Sequence, residues 1–97
     1  MAIVMNMVWE GVTPEQYNEA RRVVGWEEEL PAGAQFHVAS FDGNTLRVTD
    51  MWESAADFQA FVETRLNPGV AEVGIQGEPQ VTITEVHRLF TPAFQPA

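Results

Sequence analysis

The sequence predicts an α+β domain with the element order β-α-β-β-α-(α)-β. Three observations carry this prediction. A β-rich apolar segment at residues 2–9 is followed at once by a helix-start signature at Thr13-Pro14-Glu15-Gln16. Two further β-rich segments, 34–41 and 45–53, flank the turn signal Asp42-Gly43-Asn44. A second helix start at Ser54 then leads into an aromatic stripe and, further on, to a last β-rich segment at 80–90.

Each element has a local reason. Residues 2–9 are apolar and rich in strand formers, interrupted only by Asn6. Thr13 as N-cap, Pro14 at the first helical position and Gln16 at the third make a capping box, which satisfies free backbone donors. Tyr17, Ala20, Val23 and Val24 follow at helical spacing, and Gly25 is a plausible left-handed cap. Residues 26–33 read as a solvated connection, with Trp26 over a pocket mouth as the alternative. Asp-Gly and Gly-Asn are both hairpin turn signals, so 34–41 and 45–53 pair. Ser54 caps the second helix, with Asp57 at its third position and Phe58, Phe61, Val62 and Leu66 as its apolar stripe. Asn67-Pro68-Gly69 is expected to break that helix, and Val70, Val73 and Ile75 suggest a short extra one before Gly77. The tail Thr91–Ala97 holds two prolines and cannot extend a strand. Phe94 within it is expected to pack on something, a partner subunit included.

The order βαββαβ is the split βαβ, ferredoxin-like arrangement with a four-stranded antiparallel sheet. Strand one is apolar on both faces, with Ile3, Met5, Met7 and Trp9 on one and Val4 and Val8 on the other. Helices cover one face of such a sheet. A second copy covering the other is the economical solution, so a homodimer is expected.

Ninety-seven residues make one domain, 1–97. The net charge of −9, with five arginines and no lysine, opposes binding to nucleic acid or anionic membrane. Absent lysine also removes Schiff-base chemistry. Absent cysteine removes disulfides, thiol nucleophiles and thiolate metal sites. The apolar N-terminal run is too short to span a bilayer and has no basic leader, which points to a cytoplasmic protein. No phosphate-binding glycine loop occurs. His87 has only Glu85 beside it at strand spacing, too few donors for a metal. No cofactor and no metal are expected.

The run Arg47-Val-Thr-Asp-Met-Trp-Glu-Ser54, followed by Phe58 and Phe61, resembles the third-strand-to-helix segment of the antibiotic-biosynthesis-monooxygenase-like dimeric α+β barrels. The resemblance covers the whole chain by element order and is specific in residues over this segment. It implies a dimeric α+β barrel. The superfamily includes cofactor-independent quinone-forming monooxygenases, haem-degrading monooxygenases, decarboxylases and isomerases. Haem-degrading members use an Asn on strand one, a Trp on the second long helix and a later His. Asn6 matches the first and Phe61 stands where the Trp would be. No His lies between His37 and His87, which argues against haem degradation.

His37 and Asp50 are the pair with most chemical potential. A Gly43-Asn44 turn sets them directly opposite; an Asp42-Gly43 turn leaves them diagonal neighbours on the same face; a three-residue turn separates them. That face also carries Ala39, Phe41, Leu46, Val48 and Trp52. A carboxylate-oriented imidazole is a general base toward an acidic phenol or enol; the bland reading of the same pair is a structural cross-strand contact that neutralises a buried polar site. Asn6 either holds a substrate oxygen or bonds within the fold. Trp52, Phe58 and Phe61 line an aromatic pocket or fill a core. Two readings follow. One is a monooxygenase-like enzyme acting on an aromatic or polyketide-like molecule, with His37 and Asp50 catalytic and Asn6, Trp52, Phe58 and Phe61 binding substrate. The other is a non-catalytic dimer that holds a small apolar ligand or plays a structural part.

Overall fold

The computed structural model describes residues 1–94. The chain folds as β1 (Ile3–Glu10), α1 (Pro14–Val24), β2 (Ala34–Asp42), β3 (Thr45–Trp52), α2 (Ala55–Phe61), α3 (Asn67–Val73) and β4 (Gln80–Glu85). The four strands form one antiparallel sheet in the order β2-β3-β1-β4, the ferredoxin-like arrangement.

Local chemistry sets the ends of these elements. The Thr13 hydroxyl accepts from the Gln16 backbone N–H at 3.1 Å, and the Gln16 side chain accepts from the Thr13 N–H at 3.1 Å. Gly25 closes α1 in the left-handed region at φ 70°. The Ser54 hydroxyl caps α2 by accepting from the Asp57 N–H at 3.1 Å. Each such cap is worth about 1 kcal/mol. The β2–β3 hairpin turns on Gly43 and Asn44, because Asp42 pairs with Thr45. Gly43 has φ 61° and Asn44 does not enter the positive region, so only the glycine needs its conformational freedom.

Alternation along β1 divides the sheet into two faces. Ile3, Met5, Met7 and Trp9 are buried beneath the helices with Leu46, Val48 and Trp52 of β3 and Phe58 and Phe61 of α2. Val4, Asn6 and Val8 lie on the other face, and no element of the described chain covers it. Among exposed apolar side chains, Phe36 and Val38 of β2 belong to this open face, because β2 places His37 on the helix side.

The structure corrects the expected helix break and the expected end of the last strand. Asn67-Pro68-Gly69 does not break the second helix. The backbone stays right-handed from α2 through a π-helical turn at Val62–Leu66 into α3. In that turn the Asn67 N–H reaches back five residues to the Val62 carbonyl. The wider winding accommodates Pro68, which has no N–H and whose ring would press on a carbonyl in a regular helix. Gly69 is buried against α1, and a Cβ there would collide with Val24 Cγ2. The last strand ends at Glu85 rather than 90, since its partner β1 begins at Ile3 and Ala2 accepts the final bond, from the Val86 N–H at 3.0 Å. Glu85 and the exposed His87 therefore do not share a strand face. In the tail, Phe94 lies 6.5 Å from Phe36 of the same chain, centroid to centroid, at the edge of the open face; residues 95–97 of the expected partner-packing tail lie outside the described residues.

Candidate functional site

The space between α1, the α1–β2 loop and the sheet is a cavity of about 410 Å³. That size is within the range of small-molecule sites. Trp52, Phe58 and Phe61 line it as well as packing beneath it. Trp52 lies 5.6 Å from Phe58 and 5.4 Å from Phe61, centroid to centroid, so the three rings form one aromatic wall. At the far end the Trp9 indole N–H donates to the Gln76 carbonyl at 2.9 Å, which ties the sheet to the segment after α3.

One row of polar groups crosses this apolar lining. The hairpin register sets His37 opposite Asp50, and the His37 Nδ1 lies 2.6 Å from Asp50 Oδ1. The other carboxylate oxygen of Asp50 accepts the Trp52 indole N–H at 3.1 Å. Asp50 is 7% exposed and is, among the described residues, the one buried charged residue. On the opposite side of the imidazole, His37 Nε2 lies 2.7 Å from the Tyr17 hydroxyl. As a carboxylate Asp50 only accepts, so a neutral His37 carries its proton on Nδ1 and its Nε2 accepts the Tyr17 O–H. The row therefore runs from α1 to β2 to β3, each proton pointing toward the carboxylate.

Tyr17 holds its proton more tightly than an ordinary phenol. Burial is the main cause; the negative charges of Glu27 and Asp50 add to it, and Arg21 opposes it. Trp26 leans on the same groups, its ring 5.9 Å from Tyr17 and 5.5 Å from His37. It lines the cavity, and its indole N–H is buried with no partner among the described residues. The loop carrying it is clamped by Arg65, whose guanidinium donates to the carbonyls of Val24, Gly25 and Glu29 at 3.1, 3.3 and 2.8 Å. Arg65 also stands 5.5 Å over the Phe61 ring. Its place in the π-helical turn is what aims it at the end of α1, where a cation also complements the helix dipole.

Of the residues singled out from sequence, His37, Asp50, Trp52, Phe58 and Phe61 are brought together around the cavity. Asn6 is not. Side chains alternate along β1, and burial of Met5 and Met7 beneath the helices sends Asn6 to the open face. There its amide oxygen accepts the Thr49 hydroxyl at 2.9 Å. In sequence Tyr17 reads as one of the apolar positions of α1, although a phenol in a buried stripe needs a partner and so carries a signal. A β-bulge between Ala34 and Phe36, just ahead of His37, had no signature in sequence.

No known family profile matches the chain, and no curated protein does. Solved structures do. A protein of unknown function from Nitrosomonas europaea, NE2512, superposes with TM-score 0.69 at 16% identity, covering 95% of each chain. The cofactor-independent oxygenase SnoaB from Streptomyces nogalater gives 0.65 at 12% identity, covering 94% of this chain and 96% of its own. A monooxygenase of Streptomyces coelicolor, ActVA-Orf6, in complex with the ligand nanaomycin D, gives 0.61 at 18% identity, with coverages of 95% and 93%. The chain thus has the α+β ferredoxin-like fold of the antibiotic-biosynthesis-monooxygenase-like proteins.

Proposed function

We propose that the chain is a monooxygenase-like enzyme that works as a homodimer, without a bound cofactor, on an aromatic or polyketide-like small molecule. The observation that carries this reading is the meeting of an aromatic cavity of about 410 Å³ with a carboxylate-oriented imidazole, His37 Nδ1 at 2.6 Å from Asp50. The fold it shares with a cofactor-independent oxygenase supports the reaction class by analogy.

In this reading Trp52, Phe58 and Phe61 stack on the substrate and exclude water. His37 is the base that receives a proton from an acidic phenol or enol, and Asp50 stabilises the imidazolium that results. The electron-rich anion then reduces dioxygen, and the ring carbon and oxygen combine to a hydroperoxide. Loss of water leaves a carbonyl. A ring methylene and one dioxygen thereby become a carbonyl and one water, with no external reductant.

A specific observation favours the non-catalytic alternative: both ring nitrogens of His37 are already engaged, by Asp50 and Tyr17. The alternative is a dimer that holds a small apolar ligand in the same cavity. Oxygen uptake measured over a panel of anthrones and hydroquinones separates the two. Uptake that disappears in His37→Ala supports the enzyme. Binding of the panel with no uptake by the native chain supports the ligand-holding protein.

A further inference from the structure

We infer that Tyr17 is the group that meets the ligand, and that it does so as a hydrogen-bond acceptor, which selects an uncharged aromatic O–H donor over its ether, quinone or carboxylate counterpart. The inference rests on the reading of the cavity as an aromatic-ligand site, and adds the polarity of its Tyr17 end.

The polarity follows from the direction of the proton row. Asp50 accepts from both Trp52 and His37, at 3.1 and 2.6 Å. His37 has then spent its single proton on Nδ1, so its Nε2 accepts, and the Tyr17 O–H is committed to it at 2.7 Å. What Tyr17 has left is lone-pair capacity, and among the described residues no other group uses it. An incoming O–H satisfies it. Set against Tyr17, a quinone carbonyl or an aryl ether brings only another acceptor, and leaves two oxygens facing each other without a proton between them.

Charge points the same way. Among the described residues, the charged side chains in the lining are Glu27 and Asp50, both acidic, with no arginine or lysine. Arg21 is paired with Glu27 at 3.6 Å. A carboxylate entering this apolar space would be desolvated beside two like charges and find no counter-ion. The whole chain, at −9, adds to the repulsion.

The same arrangement gives His37 a route to a substrate that it does not touch. The ligand O–H proton passes to Tyr17 Oη while the Tyr17 proton passes to His37 Nε2. Tyr17 ends neutral as it began, the ligand is an anion, and the imidazolium lies against Asp50. Once the ligand has become a carbonyl compound the donor is gone, and the site holds the product less well than the substrate.

Isothermal titration calorimetry with β-naphthol, its methyl ether and β-naphthoate, near neutral pH, tests this without knowledge of the physiological ligand. A lost or unsatisfied hydrogen bond of this kind changes affinity by roughly tenfold. The naphthol is expected to bind about that much more tightly than the ether, and more tightly than the naphthoate. Tyr17→Phe keeps the ring and should erase the gap between naphthol and ether. Equal affinity for naphthol and ether, tighter binding of the naphthoate, or a gap that survives Tyr17→Phe would each overturn the inference and leave the cavity reading intact. Failure of all three probes to bind would overturn the cavity reading itself.

Discussion

The phenol of Tyr17 and the imidazole of His37 lie in nearly parallel planes, 2° apart, with Oη 2.7 Å from Nε2. This one contact joins the first helix to an edge strand and extends the His37–Asp50 pair to the cavity wall. It also makes Tyr17 a spectroscopic reporter, because the chain contains one tyrosine.

The phenolate absorbance band, followed against pH, should rise with a midpoint above the ordinary phenol value of about 10. Burial raises it first, and the charges of Glu27 and Asp50 raise it further. In denaturant the midpoint should return to the ordinary value. The unfolded chain therefore releases this proton first. The stability tied to neutral Tyr17 is fully present below about 10 and is lost as pH rises through the folded-state midpoint. A folded midpoint at or below the denatured one would contradict the buried contact.

Asp50→Asn should destabilise the fold by about 1–3 kcal/mol in chemical denaturation. The Trp52 N–H and the His37 Nδ1 proton both point at the carboxylate, one at each oxygen. An amide offers one acceptor oxygen and one donor nitrogen, so one of those two protons loses its acceptor. A loss within experimental error of zero would show that the carboxylate is not the end of the row.

Gly69→Ala should cost more than its helix propensity suggests. Alanine favours a helix over glycine by about 1 kcal/mol, yet the added Cβ meets Val24 Cγ2 where α3 crosses α1. Net destabilisation, read from the thermal midpoint, is the expected result, and a stabilised variant would show that the two helices can separate freely. Val24→Ala in the same chain should restore much of the loss, since it removes the group that is struck.

Light scattering on a sizing column should give the mass of two chains, and Val38→Glu should give the mass of one. Val38 is 47% exposed on the open face, where a buried carboxylate would be intolerable to a second copy. Each chain carries −9, so the dimer should also weaken as ionic strength falls. A native monomer at micromolar concentration would remove the homodimer from the proposal.

The fold was legible because its determinants are local. A capping box, a two-residue turn and a serine cap each fix an element end through groups within four residues of one another. The His37–Asp50 pair was legible for the same reason, as the turn sets the register that aligns them. What escaped reading depended on distance in the chain. Tyr17 is a polar terminus only because β2 brings His37 to it, twenty residues away. Asn6 interrupts an apolar strand and reads as a substrate contact or as a bond within the fold; strand parity sends it to the open face, where it bonds Thr49. Pro68 carries a strong breaker signal, but a π-helical turn absorbs it, and that turn is paid out in contacts made by Arg65 with α1.

The π-helical turn at Val62–Leu66 acts as a phase adjuster between two halves of one helix. Successive helical residues are rotated by roughly 100° about the axis, so one residue taken up or given out in the winding rotates everything beyond it by that angle. With the extra residue, Phe61 faces the cavity while Arg65 faces the carbonyls at the end of α1. Deleting a single residue within 62–66 would restore regular winding and take one of those two out of alignment. The aromatic wall and the clamp on the Trp26 loop are thus set by one angular offset, and a change of chain length there would alter ligand fit and loop mobility together.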